Sequence, residues 1–335
     1  MINVAIVGVS GYTGIELIKI LINHPNFDIK YIANTKGNTT SSTLHPCLQN
    51  VCEIDVSKSN SNDISKVASL CFLALPHKAS MSLAKELLDL GVKVIDLSAD
   101  YRLDINSYEK YYTKHIDKKN LSQAIYGLSE YFKDDLKNSS LVANPGCYPT
   151  ACLLAILPFI PYINEGCEVF IDAKSGVSGA GKIANDINHY CNINENSFAY
   201  NPFHHRHSPE IKEKIKKITN KDIKINFVPH LLPLTRGMLV SIYATLKKDI
   251  NVEDILNNRY KNSPFIRIKK SPVDIKSTSG TNFCDIYAIK NDKALFITSS
   301  IDNLLRGASS QAVVNANIIY GYKETLGIPS IAYVP

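Results

Sequence analysis

The sequence has 335 residues, of which 45% are hydrophobic and 20% charged, and its net charge is +6 at pH 7 with neutral histidines. This composition is typical of a folded protein with room for two domains. Acidic residues are interspersed among the basic ones, which argues against a nucleic-acid-binding stripe, and no apolar run reaches the ~18 residues of a membrane span. No export signal opens the chain. We therefore predict a cytoplasmic protein that binds neither nucleic acid nor membrane and suits anionic small molecules.

Eight cysteines are dispersed along the chain. None belongs to a Cys-x-x-Cys pair, and no histidine cluster has the spacing of a zinc finger. The pattern therefore predicts neither a disulfide framework nor a metal site. Most of these cysteines are expected to be reduced, buried and small apolar residues.

The first half of the chain alternates strands with helices. The predicted strands are 2–8, 28–34, 69–76 and 92–98, and the predicted helices are 15–24 and 79–91. Continuous apolar runs of this kind are typical of strands buried on both faces of a parallel sheet. The alternation predicts a doubly wound parallel sheet, the Rossmann form of an α/β nucleotide domain.

The second half has longer strand patterns with fewer helices between them. The predicted strands are 167–175, 225–231, 238–246, 283–290 and 293–302, and a last helix is predicted at about 305–322. Strands that follow one another without helical crossovers pair mainly antiparallel. We therefore predict a second, α+β domain with a mixed, mainly antiparallel sheet.

A glycine-rich turn, "GVSGYTG", spans 8–14 between the first strand and the first helix. Small residues at this place let a pyrophosphate approach the backbone at the helix N-terminus. An ordinary strand-to-helix turn is the alternative. The candidate coenzyme-binding residues of the turn are Gly8, Ser10, Gly11, Tyr12, Thr13 and Gly14.

The end of the second strand indicates which dinucleotide is bound. An acidic residue there would hold the ribose diol of NAD. The stretch "IANTKGNTTSS" at 32–42 has hydroxyls and Lys36 but no carboxylate. This favours the 2′-phosphate of NADP(H), with the alternative that Lys36 only solvates a loop.

Cys147 lies in "NPGCYPTA", where a strand pattern ends and a helical one begins. A cysteine in the first turn of a helix feels the positive end of the dipole, which lowers its pKa toward the thiolate. Pro149 fits an early helical position, and the amides of such a turn can receive an oxyanion. The motif predicts a nucleophile for covalent acyl chemistry coupled to hydride transfer.

Candidate partners for this thiol follow in the second half. The stretch "FHHRHSPEI" at 203–211 offers an acid/base histidine, and its Arg206 and the later Arg236 suit an anionic substrate group. The glycine- and serine-rich 174–182 is a candidate anion-binding loop. A surface His/Arg loop and a flexible lid are the alternatives.

Seven stretches of the chain carry a resemblance to a known family. They are "GVSGYTGIEL", "VIDLSADYRL", "NPGCYPTA", "DAKSGVSGAGK", "HRHSPEI", "FVPHLLPLTRGML" and "IDNLLRGA". The sequence resembles the N-acetyl-γ-glutamyl-phosphate reductases of arginine biosynthesis, within the wider aspartate-semialdehyde dehydrogenase group. The resemblance implies NADPH-dependent reductive dephosphorylation of N-acetyl-L-glutamyl 5-phosphate to the semialdehyde, and a homo-oligomer, dimer or tetramer.

The resemblance also implies roles for residues of these motifs. Cys147 is implied as the nucleophile that forms a thioester, and a histidine as the acid/base, for which we prefer His205 to His207. The implied coenzyme contacts are Ser175, Gly176 and Asn303, and the implied substrate contacts are Arg102, Ser178, Gly179, Arg206 and Arg236. Which arginine holds phosphate and which holds carboxylate stays open. The predicted domains are 1–146 with 305–335, binding NADP, and 147–304, catalytic and substrate-binding.

Two other functions fit the same motifs. A reductase of carrier-protein-bound aminoadipyl phosphate in lysine biosynthesis would use the same chemistry. A nucleotide-binding relative without catalysis would keep the fold, although the presence of both Cys147 and His205 argues against it.

Overall fold

The structure is a computed structural model that describes residues 1–164 and 166–333. The chain forms two compact units. The first is Met1–Pro145 with Ala308–Pro329, and the second is Gly146–Gly307 with the chain from Ser330 onward. The functional roles given to 1–146 with 305–335 and to 147–304 stay predictions. Positions 165, 334 and 335 of those ranges lie outside the described residues.

The first unit alternates strands and helices, as the sequence predicts. Its strands are β1 (Ile2–Val7), β2 (Phe27–Asn34), β3 (Thr39–Thr40), β4 (Asp55–Lys58), β5 (Leu70–Leu73), β6 (Lys93–Asp96), β7 (Ile125–Tyr126) and β8 (Leu141–Ala143). Its helices are α1 (Tyr12–Leu21), α2 (Ser41–Leu44), α3 (Ser61–Val67), α4 (Ser80–Asp89), α5 (Ile105–Tyr111), α6 (Lys118–Leu121), α7 (Ser129–Leu136) and, from the end of the chain, α12 (Ser309–Ile319), with a 3₁₀ turn at Pro46–Leu48.

The strands of this unit form one eight-stranded sheet in the order β3-β4-β2-β1-β5-β6-β8-β7. Every pairing is parallel except that of β3 with β4. The chain adds β2 to β4 on one side of β1 and then returns to add β5 to β8 on the other side, so the switch point lies at β1. Open α/β sheets bind ligands beyond the carboxyl ends of the strands at such a switch point. The predicted doubly wound sheet is confirmed, and the glycine turn lies at the end of β1.

The second unit is built mainly of strands. They are β9 (Glu168–Gly176), β10 (Phe198–Ala199), β11 (Lys224–Leu232), β12 (Met238–Thr245), β13 (Ile266–Ile268), β14 (Cys284–Asn291) and β15 (Ala294–Ile301). The helices are α8 (Cys147–Ile156), α9 (Tyr190–Ile193), α10 (His207–Thr219) and α11 (Val252–Tyr260), with 3₁₀ turns at Leu157–Tyr162 and Val177–Ala180.

These strands form one seven-stranded sheet in the order β10-β11-β9-β12-β15-β14-β13. The β11–β9 and β13–β14 pairs are parallel and the other four are antiparallel. The predicted mixed, mainly antiparallel sheet is therefore confirmed. One face of the sheet packs on α8, whose residues after Cys147 are all buried. A helix that is apolar on every side belongs in a core, so Cys147 lies at the edge of the core of this unit.

Among the predicted helix starts, those of the first and the last helix differ most from the structure. The first helix begins at Tyr12 instead of residue 15, because the chain turns helical directly after Gly11. The last helix begins at Ser309 instead of residue 305, because the Asp302 carboxylate accepts hydrogen bonds from the amides of Leu304 and Leu305 and holds a turn there. Among the described residues, no helix is long and apolar enough to cross a membrane.

Candidate active site

The glycine turn of the first unit leaves no room for side chains at two of its three glycines. Gly8 has a φ of +95°, and a Cβ there would lie 2.2 Å from the Ala74 carbonyl oxygen. A Cβ on Gly14 would lie 2.5 Å from the Gly8 oxygen and 2.6 Å from the Val9 Cα. A Cβ on Gly11 would meet only the Gly8 oxygen, at 3.7 Å. Packing therefore requires glycine at 8 and 14, whereas Gly11 lies where the backbone is open to a ligand.

The start of α1 suits an anion. No side chain caps the helix at Gly11, and its first turn holds no acidic residue. The first amides of a helix lack intrahelical acceptors and lie at the positive end of its dipole. The turn is held from outside, since Ser309 Oγ donates to the Thr13 carbonyl at 3.0 Å and Ser10 Oγ accepts from the side chain of Asn34 at 3.1 Å. The residues present thus fit a pyrophosphate, with Tyr12 exposed beside them.

Lys36 lies exposed on the turn that follows β2. Its backbone amide donates to the Asn34 side-chain oxygen at 2.8 Å, and the amide of Gly37 donates to the same oxygen at 2.7 Å. The structure therefore brings Ser10 of the glycine turn and the Lys36 turn together on one asparagine. The sequence analysis did not single out Asn34.

Arg102, which the resemblance places against substrate, is 5% exposed. Its Nε donates to the Asn144 carbonyl at 2.7 Å, and its Nη2 donates to the Leu97 carbonyl at 2.6 Å. The guanidinium thereby joins the chain after β6 to the chain after β8. Its contact with substrate stays a prediction.

In the second unit, α8 begins at Cys147, so the predicted first-turn position is confirmed. Gly146 precedes it in extended conformation (φ −69°, ψ 159°), without a side-chain cap. The Gly146 carbonyl accepts from the amide and from the hydroxyl of Thr150, each at 2.9 Å. Pro149 is the third residue of the helix. An amide N–H at this position would have no intrahelical acceptor, so its absence in proline costs no helical hydrogen bond.

Two residues that the sequence analysis missed shape this turn. The Glu210 carboxylate, 1% exposed, accepts from the Gly146 amide at 3.1 Å. A Cβ on Gly307 would lie 2.6 Å from the Cys147 Cβ and 2.6 Å from the Asn303 carbonyl. Glu210 belongs to the "HRHSPEI" motif and Gly307 to "IDNLLRGA", and membership of these motifs was the available signal.

His205 and His207 lie side by side in an aromatic cluster. Their ring centroids are 4.9 Å apart, and His205 lies 5.5 Å from each of the rings of Tyr148, Tyr200 and Phe227. Burial, and then the positive charge of Arg206, lowers the pKa of His205 to about 4. The His207 amide donates to His205 Nδ1 at 3.1 Å. His205 is therefore neutral at pH 7 and carries its proton on Nε2.

Two tyrosines link Cys147 to this cluster. Tyr200 donates to the Tyr148 hydroxyl at 3.2 Å, and Tyr148 donates to the His230 carbonyl at 3.3 Å. Burial, and to a smaller extent the charge of a Cys147 thiolate, raises the pKa of Tyr200 to about 12. Burial likewise raises the pKa of Tyr148, and Cys147 adds to that shift. The thiol and the histidine thus share the same two neighbouring phenols.

The end of β9 and the 3₁₀ turn after it contain the serines and glycines of the candidate anion loop. Ser175, 2% exposed, donates from Oγ to the Gly176 carbonyl at 3.0 Å. A Cβ on Gly176 would lie 2.7 Å from the Leu234 carbonyl, and one on Gly179 would lie 3.0 Å from Ser175 Oγ. The loop is therefore closely packed along one side, while Gly179 itself is exposed.

Asn303 holds this loop in place. Its Nδ2 donates to Ser178 Oγ at 2.9 Å, and its Oδ1 accepts from the Gly237 amide at 2.7 Å. Both ends of the amide thus have partners within the second unit. The coenzyme contact that the resemblance implies for Asn303 stays a prediction.

The two candidate arginines have different surroundings. Arg236 Nε lies 3.2 Å from a carboxylate oxygen of Asp302, which is fully buried. Burial raises the pKa of Asp302, against the opposing effect of Arg236. Arg206, at the start of α10, is exposed, and its charge acts on His205. Over residues 1–164 and 166–333, no group of three or more His, Cys, Asp or Glu side chains forms a potential metal site.

Two family models match the chain. The model described as "Semialdehyde dehydrogenase, NAD binding domain" matches residues 3–139. The model described as "Semialdehyde dehydrogenase, dimerisation domain" matches residues 147–303.

Solved structures share the fold. Aspartate semialdehyde dehydrogenase II from Vibrio cholerae, complexed with ASA, superposes with a TM-score of 0.74 at 18% identity, over 96% of this chain and 98% of that one. Aspartate semialdehyde dehydrogenase with NADP from Candida albicans gives 0.71 at 12% identity, over 96% and 98%. At these identities the likeness concerns the fold alone.

Curated relatives are much closer in sequence. The N-acetyl-gamma-glutamyl-phosphate reductase of Sulfurovum sp. (strain NBC37-1) is 57% identical over 335 residues, which is 100% of both chains. That of Wolinella succinogenes is 55% identical over 100% of this chain and 99% of the relative. The chain therefore belongs to the N-acetyl-gamma-glutamyl-phosphate reductase family.

Proposed function

We propose that this protein reduces N-acetyl-L-glutamyl 5-phosphate to N-acetyl-L-glutamate 5-semialdehyde and phosphate with NADPH, in arginine biosynthesis. Relatives that match over the full length carry the name of this reaction. The observation that carries the proposal is the placement of Cys147 at the start of a buried helix, beside an aromatic cluster that contains His205. This arrangement suits acyl transfer to sulfur.

Cys147 is the proposed nucleophile. The N-terminus of α8 favours the thiolate, which attacks the acyl carbon of the substrate. A C–S bond forms, the C–O bond to phosphate breaks, and phosphate leaves with the bonding electrons. The amides at the start of α8 are the proposed donors to the oxyanion of this step. The product on the protein is a Cys147 thioester.

NADPH, when bound, supplies the hydride that takes the thioester to the aldehyde level. Gly8, Gly11 and Gly14 form the proposed pyrophosphate cradle, and Lys36 is the proposed partner of the 2′-phosphate. Collapse of the Cys147 hemithioacetal breaks the C–S bond and releases the semialdehyde. The thiolate is then ready for the next substrate.

We assign removal of the Cys147 thiol proton before the attack to the histidine pair and keep His205 as the preferred member. In the resting protein its Nδ1 accepts from the His207 amide, so Nε2 is a hydrogen-bond donor. To accept a proton at Nε2, the ring must take the other tautomer and give up that bond. His207, whose ring centroid is 4.9 Å away, is the alternative acceptor.

For the two anionic groups of the substrate we propose separate partners. Arg206 binds the phosphate, and Arg236, Ser178 and Gly179 bind the α-carboxylate. The charge of Arg206 acts on His205, the proposed acid/base, and this supports the phosphate-side assignment. Arg236 is oriented by its ion pair with Asp302. A bidentate guanidinium suits either anion, so exchange of the two assignments is the alternative.

We propose a cytoplasmic homo-oligomer with no nucleic-acid or membrane partner. A row of apolar residues crosses four neighbouring strands on one face of the second sheet. Tyr243 pairs with Phe170 and with Phe296, and Phe296 pairs with Ile289. Three of the four are about half exposed, and the matching family model is named as a dimerisation domain. A second copy of this chain is the proposed occupant, and sedimentation velocity of the full chain tests it.

The reverse reaction tests the proposed function. Purified protein is mixed with N-acetylglutamate 5-semialdehyde, phosphate and NADP⁺, and NADPH is followed by absorbance. We expect turnover that depends on all three. Turnover only with a carrier-bound aminoadipate semialdehyde would assign the lysine pathway, and coenzyme binding without any turnover would leave a binding protein.

A further inference from the structure

Asn34 occupies a defined place in the first unit. It is the last residue of β2 and lies twenty residues after Gly14. In dinucleotide-binding folds, an acidic residue at about this distance holds the ribose diol of NAD. This chain has a neutral amide of the same size instead.

The structure fixes Asn34 from several directions. Its Nδ2 donates to Ser10 Oγ at 3.1 Å, and its Oδ1 accepts from the amides of Lys36 and Gly37 at 2.8 and 2.7 Å. Its carbonyl accepts from the amide and the hydroxyl of Ser59 at 3.2 and 3.3 Å. The side chain thus connects the glycine turn to the Lys36 turn and is held there.

We propose that Asn34 is a coenzyme-selecting residue, which holds the Lys36 turn against Ser10 and keeps a neutral group where a carboxylate would repel the 2′-phosphate of NADPH. The inference rests on the proposed function, because it takes NADPH as the coenzyme. It adds a determinant of selectivity other than the charge of Lys36.

The hydrogen-bond pattern makes a clean substitution available. In Asn34→Asp, one carboxylate oxygen still accepts from the amides of Lys36 and Gly37. The Ser10 hydroxyl, which accepts from Asn34 now, can rotate and donate to the second oxygen. The substitution therefore changes charge and leaves shape and bonding in place. The melting temperature should stay close to that of the wild type.

The electrostatic consequence differs between the two coenzymes. A carboxylate close to a phosphate that carries nearly two charges would repel it even at high effective dielectric. Lys36 on the same turn moderates this repulsion, so we expect NADPH affinity to fall at least about tenfold. NADH lacks the 2′-phosphate, and its ribose diol can donate to the carboxylate. Its affinity should stay constant or rise.

Direct binding tests the inference. Dissociation constants of NADPH and NADH are measured by coenzyme fluorescence with the full chain, without substrate. The matched control is Asn38→Asp, the same chemical change at an exposed position of the same loop, where φ is 53°. We expect Asn34→Asp to lower the NADPH/NADH affinity ratio at least about tenfold and Asn38→Asp to change it less than about threefold.

Other outcomes separate the inference from the proposed function. A wild type that prefers NADPH, with Asn34→Asp unchanged or with Asn38→Asp equally affected, overturns the inference alone. A wild type that binds neither coenzyme overturns the proposed function and this inference with it. The affinity of the two variants for 2′,5′-ADP gives a second readout. Relative to the wild type, this affinity should fall in Asn34→Asp and not in Asn38→Asp.

Discussion

Two helices of this chain begin in the same way and serve different purposes. Both α1 and α8 follow a glycine in extended conformation, at Gly11 and Gly146, and neither has a side-chain cap or an acidic residue in its first turn. At α1 the open position is Gly11 itself. At α8 the chain's own groups fill the surroundings: Glu210 binds the preceding amide and Gly307 packs on Cys147.

The difference shows how one local geometry supports two kinds of chemistry. At α1, glycines and the absence of acidic side chains leave the helix N-terminus to an external anion. At α8, the first helical residue is a thiol, and Gly307 and Glu210 hold the backbone and the Cβ from which its sulfur projects. Binding needs an accessible backbone, whereas covalent catalysis needs a positioned side chain.

The largest expected effect is at the thiol. Cys147→Ser should lower turnover by several orders of magnitude, because an unactivated hydroxyl is a far poorer nucleophile at neutral pH. Because the α1 turn is unchanged, NADPH binding should persist. Steady-state kinetics and coenzyme fluorescence measure the two, with the exposed Cys191 changed to Ser as the control. More than about a tenth of the activity in Cys147→Ser would contradict the covalent mechanism.

The next effect is at the histidine pair. His205→Asn should lower kcat/KM by about 10²–10⁴ if it performs proton transfer. With a pKa of about 4 in the folded protein, the acid limb of the wild-type profile that depends on neutral His205 should lie well below the ~6.5 of a free imidazole. The matched variant is His207→Asn. A normal His205→Asn with an inactive His207→Asn would move the role to His207.

The lowered pKa of His205 also makes the stability of the protein depend on pH. Because the folded pKa lies below the unfolded one, the unfolded chain binds more protons between about 6.5 and about 4. Stability should therefore fall as the pH is lowered through this window, and less so in His205→Asn. Denaturant unfolding at pH 7 and pH 5 measures the difference.

Substitutions in the glycine turn should distinguish the glycine that packing requires from the glycine that coenzyme binding requires. Gly14→Ala places a methyl group against backbone atoms at 2.5 and 2.6 Å, so it should destabilise the first unit. Gly11→Ala meets no close atom, so it should melt near the wild type and bind NADPH about tenfold less well, since its methyl group occupies the ligand side. Thermal melting and coenzyme titration test the pair. Equal stability losses in both variants would contradict this division.

Substitutions of Glu210 test whether the groups around the start of α8 influence Cys147. Glu210→Gln keeps an oxygen for the Gly146 amide and removes a buried negative charge near the thiolate. It should lower the pH at which iodoacetamide alkylates Cys147 and change kcat by less than about tenfold. Glu210→Ala loses the hydrogen bond and should reduce kcat further. An alkylation profile that is the same in the Gln variant and the wild type would show that the carboxylate charge does not reach the thiol.

A modest effect, confined to the coenzyme, is expected at Lys36. Lys36→Ala should raise the KM for NADPH about tenfold, the value of one charge-assisted hydrogen bond, and leave NADH almost unchanged. Kinetics with both coenzymes measure this. Equal use of NADH and NADPH by the wild type would show that the absence of an acid after β2 was misinterpreted.

Local pattern was enough to predict the two turns. The glycines at 8–14 and the "NPGCYPTA" motif encode a strand, a tight turn and a helix start in neighbouring residues, so the strand-to-helix geometry follows from sequence. The parallel and mixed sheets were predictable for the same reason. Alternating helices indicated the first sheet and closely spaced strands the second.

Contacts between distant residues were not predictable. The approach of Gly307 to Cys147 joins positions 160 apart, and the Glu210 bond to Gly146 joins positions 64 apart. Asn34 could be located on β2 from sequence, but its bonds to Ser10 and the Lys36 turn depend on tertiary packing. Arg102 and Asn303 show the converse. Their motifs suggested ligands, and the structure shows strong contacts within the protein itself.

The central claim is that substrate is held as an acyl group on Cys147. The direct measurement is mass spectrometry of the protein incubated with N-acetylglutamate 5-semialdehyde and NADP⁺ in the absence of phosphate. Without phosphate the thioester cannot be released as the acyl phosphate, so it should accumulate. We predict a mass increase of one N-acetylglutamyl group on the peptide that contains Cys147, with a matching burst of NADPH. A burst of NADPH with no acyl group on that peptide would contradict the account.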